Sequence, residues 1–149
     1  MSFELLDISF KKGSGIAVPA TLRPYANKGF SREVKLILDT GASSAHISTE
    51  ILNQMGYNDT MFTKDKNVSF AVIGKYHATL CKVEGLDFCG IKFNNHTVKV
   101  WNPPKDHHAD GIIGMSLLKY FNISINVDTQ RAVIKQSQAT IAMLHKNKP

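Results

Sequence analysis

Short apolar or alternating runs dominate the chain: FELLDISF, GIAVPATL, VKLILD, SFAVIG, YHATLCKV, LDFCGIKF, HTVKVW, ISINVD and RAVIKQ. They are rich in Val, Ile, Phe and Thr, are bounded by Gly, Asn, Pro and Lys clusters, and are mostly too short for helices. They therefore predict strands and a mainly β protein. Two stretches follow helical spacing instead. STEILNQMG offers Ser48 as N-cap, Ile51, Leu52 and Met55 on one side, and Gly56 where a helix would stop. GMSLLKYFN repeats the arrangement over a shorter span, with Leu117, Leu118 and Phe121 apolar and Asn122 closing it. No internal repeat, low-complexity segment or linker divides the sequence. One domain is expected over residues 1–149, with its core from about Gly15 to Lys135 and a basic tail from Gln136 to Pro149, frayed beyond about Leu144.

Composition narrows the function classes. A chain of 149 residues with 43% apolar and 20% charged residues can bury a substantial core and does not fit a disordered protein. No apolar run approaches the ~18 residues that span a bilayer, so no membrane association is expected. The start, MSFELLDISFKK, lacks a basic segment followed by an apolar one, so no secretory signal is read and the cytoplasm is the expected location. The Asn-x-Ser/Thr matches at Asn58, Asn67, Asn95 and Asn122 then read as chance. Cys81 and Cys89 are too few for a disulfide framework and read as buried thiols. The net charge of +6 comes from scattered lysines without a basic stripe interleaved with aromatics, so no nucleic-acid partner is expected. His107, His108 and Asp110 read as a polar loop after Pro103-Pro104, since adjacent histidines on a strand face opposite ways and no His-x-x-x-His or Cys-x-x-Cys accompanies them. Gly13-Ser14-Gly15 is too short for a phosphate loop. Neither a metal nor a cofactor is predicted.

The stretch LILDTGASS, Leu36 to Ser44, ends an apolar run on a carboxylate and follows it at once with Thr-Gly. Asp and Gly both favour bends, so Asp39 could be simple punctuation. With apolar residues before and Ala-Ser-Ser after, however, the segment resembles the active-site loop of aspartic proteases. Each residue type has a chemical reason there. Peptide hydrolysis by water needs a general base for the water and a general acid for the leaving amine, and two facing carboxylates sharing one proton supply both. At ~3 Å and an effective dielectric near ~20, two like charges repel by roughly 5 kcal/mol, so both do not ionise together. Gly41 lets the backbone approach substrate and partner loop, where a Cβ would intrude. A second copy of the motif is missing, because Asp59-Thr60 continues with Met61 and Asp128-Thr129 with Gln130. Pepsin-like enzymes carry two copies in one chain; here the resemblance implies a two-fold homodimer that sets Asp39 opposite its own mate.

Downstream, ADGIIGMSLLKYFNISINVD, Ala109 to Asp128, resembles the second signature of retropepsin-like proteases. FCGIKFNNHTVKV looks like the paired strands that precede it, and FAVIGKYHATL occupies the place of the flap that folds over bound peptide. The resemblance to retropepsin-like aspartic proteases implies a closed β-barrel-like domain with one or two short helices, a homodimeric active site and a polypeptide substrate. It implies catalytic roles for Asp39, Thr40 and Gly41, with Thr40 locking the two loops together. Gly41 and Ala42 would line the cleft, Ile73, Gly74 and Lys75 would form the flap, Ile112 would wall a subsite, and Gly111, Ile112, Ile113 and Gly114 would pack as a loop beneath Asp39. The chain departs from retroviral members at the flap tip, which has Gly74 alone between Ile73 and Lys75. Ser43, Ser44 and Met115 stand where those enzymes place an ion-pair network, so dimer contacts must be built otherwise. The alternative is a non-catalytic module of the same fold that dimerises or binds peptide without cutting it.

Overall fold

Alternation of apolar and polar side chains fixes which way each strand faces. In strand β2, Ala17–Leu22, the side chains of Val18, Ala20 and Leu22 are buried while Ala17, Pro19 and Thr21 are half-exposed. The structure, a computed structural model, describes residues 5–71 and 74–146. Six strands close into a barrel: β2, β3 (Arg32–Leu38), β10 (Gly111–Ile113), β4 (His46–Ser48), β9 (Ile91–Trp101) and β8 (Thr79–Phe88), with β8 pairing back onto β2. The free edge of β8 is shared, Leu86 and Asp87 going to β2 while Thr79–Cys81 pair with β5, Phe62–Lys64. Closure leaves the barrel without long open edges.

Pro19 sits inside this barrel without breaking it. Its partner Lys35 gives its N–H to Asp110 Oδ2 and accepts the Asp110 N–H on its carbonyl, both at 2.8 Å, so Lys35 is turned away from β2. Pro19 therefore lies at a position of the ladder where no N–H is needed.

A second sheet, β1 (Leu5–Ser9), β12 (Arg131–Gln136) and β11 (Phe121–Asn126), packs against the turn joining β8 to β9. The Phe88 and Phe121 rings meet edge to face at 5.1 Å, and the Gln136 amide donates to the Cys89 carbonyl at 3.2 Å. That turn corrects the reading of LDFCGIKF as one run: Cys89 and Gly90 both have positive φ, 47° and 84°, and fold the segment into a hairpin. A two-residue turn of this kind matches the twist of its strands. Cys is an unusual residue for it, so the residue types at the turn did not announce it. Both cysteines are buried thiols, and burial pushes the Cys81 thiol up to about 11.

Helix α1, Thr49–Gln54, begins where expected, with the Ser48 hydroxyl accepting the Ile51 N–H at 3.2 Å. Helix α2, Met115–Leu118, is one turn that buries Leu117 and Leu118. A third helix, α3, Gln138–Lys146, occupies the segment read as a tail. Its start is a side-chain cap: the Ser137 hydroxyl accepts the Thr140 N–H at 3.1 Å. Only Thr140 of this helix is buried, which is why the apolar spacing there was weak. No helix among the described residues is long and apolar enough to cross a membrane.

Tyr57 ties the barrel to the segment after β2. It is 1% exposed, its hydroxyl donates to the Arg23 carbonyl at 2.7 Å and accepts the Glu84 N–H at 2.9 Å, and burial raises its pKa so that it stays neutral. Tyr57→Phe removes two part-buried hydrogen bonds, to the Arg23 carbonyl and from the Glu84 N–H, and should lower stability by about 1 kcal/mol. Urea unfolding checks this: the midpoint should fall with an unchanged slope, and an unmoved midpoint would show that the two bonds contribute nothing.

Candidate active site

The loop of residues 39–45 joins β3 to β4, yet β10 lies between those two strands. β3 runs parallel to β10, Leu38 beside Ile113, so the loop has to cross over the end of β10. Hydrogen bonds fasten it along the crossing. Asp39 N–H donates to Ile113 O at 3.0 Å, Met115 N–H to Ala42 O at 2.8 Å, and Ser116 N–H to Ser43 O at 2.8 Å. Gly114 is the residue beneath. A Cβ there would lie 2.6 Å from both Ala42 O and Ser44 O, closer than any real contact, so only glycine lets the loop pass. Gly111 serves the same purpose at the start of β10, where a Cβ would run into the His46 carbonyl. The Gly111–Gly114 segment expected as a loop is thus a strand, β10, for its first three residues. The barrel demands that pairing and no local propensity reveals it.

Asp39 stands at the start of the crossing, exposed, with its Oδ1 accepting the Gly41 N–H at 2.9 Å. This i to i+2 bond holds the carboxylate against its own loop. Thr40 and Gly41 are exposed beside it, and Ala42 is half-buried, its N–H donating to Asp39 O at 3.2 Å. Ile112 is half-buried on β10, paired with Ile37 on one side and His46 on the other. Gly74 and Lys75 belong to a separate hairpin of β6, Ser69–Ala71, and β7, Gly74–Tyr76, in which Gly74 has φ 123°. Ile73 lies outside the described residues. The hairpin meets the barrel through Ser69, whose hydroxyl accepts from Lys99 Nζ at 3.2 Å.

Three residues that sequence reasoning left aside sit in this region. Asp110, read as belonging to a polar loop, connects β3 to β4, taking the Lys35 N–H on its carboxylate and the Ser48 N–H on its carbonyl at 2.9 Å. His46 and Lys99 are partners in the β4–β9 pairing. The alternation Ala45-His46-Ile47, buried, half-buried, buried, was the available signal for His46. Burial lowers the His46 pKa, as does the neighbouring Lys99 charge; the hydrogen bond from its Nδ1 to Ser44 O, 3.2 Å, and the charge of Asp39 act the other way. His107 and His108 lie in the 102–110 loop, where His107 packs edge to face on Trp101 at 4.7 Å, and no group of three metal-ligating side chains occurs among the described residues.

Comparison with known proteins agrees with this geometry. Residues 30–120 match the model of a family described as "gag-polyprotein putative aspartyl protease". Among solved structures, the chain is similar to a retropepsin-like aspartic protease from Rickettsia conorii, with a TM-score of 0.63 and 19% identity over 87% of this chain and 89% of that one. That similarity shows the fold. No curated protein matches the sequence.

Two half-buried histidines give the fold a pH dependence. His96, like His46, has its pKa lowered by burial, and next by Lys119. As pH falls through ~6.5 the unfolded chain takes up protons that the folded chain refuses, so these two residues contribute stability above that pH and lose it below. Urea unfolding at constant concentration should give a lower stability at pH 5 than at pH 7.5. The His46→Gln/His96→Gln variant should show a shallower loss, and equal losses would assign the slope to other groups.

Proposed function

The chain belongs to the gag-polyprotein aspartyl protease family, and from that premise we propose that it is an aspartic endopeptidase whose active unit is a homodimer, with one Asp39 from each subunit. The observation that carries this reading is the pairing of an exposed Asp-Thr-Gly with a crossing that fixes its backbone from beneath while leaving the carboxylate open. With no second Asp-Thr-Gly in the sequence, the other carboxylate has to come from another copy.

In the dimer the two Asp39 side chains hold one proton between them, because two full charges at such a distance are strongly unfavourable. The ionised carboxylate takes a proton from water as the water oxygen attacks the peptide carbonyl carbon. The protonated partner gives its proton to the carbonyl oxygen, forming a tetrahedral diol. Collapse breaks the C–N bond, with one proton passing to the nitrogen and one diol proton returning to the pair, so the shared-proton state is restored. The Gly41 N–H on Oδ1 orients each carboxylate without itself reacting. Thr40 would lock the two loops, Gly41 and Ala42 would line the cleft, and Ile112 would form an apolar wall. The hairpin carrying Ile73, Gly74 and Lys75 would close over the peptide.

Digestion of a peptide library by the purified protein, beside Asp39→Asn, tests the chemistry. Cleavage should drop by at least about a hundredfold in the variant. The same cuts from both would assign them to a contaminant, leaving a non-catalytic module of this fold. The assembly has its own test. Activity per chain should fall on dilution as the dimer dissociates by mass action, and constant specific activity in a sedimenting monomer would exclude the shared dyad.

A further inference from the structure

One half-buried row of side chains crosses four neighbouring strands in register: Ile37 on β3, Ile112 on β10, His46 on β4 and Lys99 on β9. Side chains paired in register share a face of the sheet. Asp39 follows Ile37 by two residues, so strand alternation puts it on this face as well. Moving away from Asp39, the surface is therefore apolar for two steps, then carries an imidazole, then a cation. Beyond it lies a cavity of about 220 Å³ whose walls include His46, Lys99 and Trp101 from the barrel and Tyr76, His77 and Thr79 from and beside the hairpin.

The charge balance of this cavity is lopsided. The ion pairs among the described residues are Arg23 with Asp87 and Arg131 with Asp7, so the half-buried ammonium of Lys99 has no carboxylate partner there and donates to the neutral Ser69 hydroxyl. His46 Nδ1 donates to Ser44 O at 3.2 Å and His77 Nδ1 to Asp65 O at 3.0 Å, so each neutral ring turns an accepting Nε2 outward and the charge that can meet an anion is that of Lys99. Of the nearby acids, Asp39 accepts the Gly41 N–H and lies at the opposite end of the row from Lys99, and Asp65 accepts the Asn67 N–H at 3.0 Å; neither pairs with Lys99. A half-buried cation without a carboxylate partner favours an anionic ligand that supplies one.

We propose that this cavity is a specificity subsite of the cleft that takes an acidic side chain, glutamate or aspartate, of the bound peptide, with Lys99 pairing with its carboxylate and His46 forming the adjoining wall. The proposal rests on the endopeptidase reading for the identity of the ligand. It adds the residue that would select substrates. The volume suits a single side chain, and Tyr76 and His77 already stand in the cavity wall beside the same group. The Lys99 charge would favour a carboxylate over an amide of the same shape.

Binding separates this proposal from the chemistry. Fluorescein-labelled octapeptides with an apolar central pair, one Glu walked through the remaining positions and a Gln twin for each, are titrated into the full chain carrying Asp39→Asn and followed by anisotropy. At one position Glu should bind about tenfold more tightly than Gln, a preference lost in Asp39→Asn/Lys99→Met and kept in Asp39→Asn/Lys99→Arg. Equal binding of Glu and Gln at every position overturns the subsite, as does a preference that survives Lys99→Met. The unsubstituted protein is then given the same peptides. A Glu preference in binding without cleavage keeps the subsite and sinks the protease reading, whereas cleavage of both twins at equal kcat/KM does the reverse.

Discussion

A loop that joins two strands lying on either side of a third has to climb over it, and the space above Gly114 is where this chain does so. Two carbonyl oxygens, those of Ala42 and Ser44, pack so tightly there that a single Cβ would meet both at 2.6 Å. The close approach lets Met115 and Ser116 donate to the loop and lets Asp39 N–H close the ladder with Ile113. The backbone of residues 39–43 is consequently held at both ends and in the middle, which pre-sets where the Asp39 carboxylate stands. The same crossing inserts β10 between β3 and β4, and without β10 the six-stranded ring would be open.

Once the ring is closed, its two faces take on different work. Val18, Leu36, Ile47, Val98 and Ile113 fill the inside. On the other face the half-buried row from Ile37 to Lys99 stays available, graded from apolar to basic. Gly111 is what brings His46 into that row at its present height, because its missing Cβ makes room for the His46 carbonyl. The packing that stabilises the barrel therefore also decides which side chains border Asp39. Burial keeps His46 in its neutral form more readily than water would, so the fixed charge of the region falls to Lys99.

Much of the architecture was legible along the chain. Period-two runs marked most of the strands, and Ser48 announced α1 through a cap that the structure shows in place. The short strands were not legible. Residues 46–48, 62–64 and 111–113 are three residues each, too short for alternation to register, and they are strands because neighbours on the barrel pair with them. The helix α3 was missed for a related reason: one buried residue gives no amphipathic stripe, and its start rests on the Ser137 hydroxyl alone. Asp110 looked like a polar loop residue. It is a backbone connector, and that role depends on Lys35, 75 positions away in sequence.

The sequence by itself determined the Asp-Thr-Gly segment and its immediate backbone. An Asp-Thr-Gly after an apolar run, with Gly41 two residues on to receive the carboxylate, is a local matter of residue type and i to i+2 geometry. Counting shows one Asp-Thr-Gly in this sequence, which is why the proposed dyad draws on a second copy. Only the tertiary structure decided what surrounds that carboxylate. His46 and Lys99 are 53 positions apart and neighbours because β4 lies parallel to β9. Parallel pairing joins segments that no hairpin connects, so no local signal carries it. The chemistry next to Asp39 is therefore a property of strand order, fixed when the barrel closes over Gly111 and Gly114.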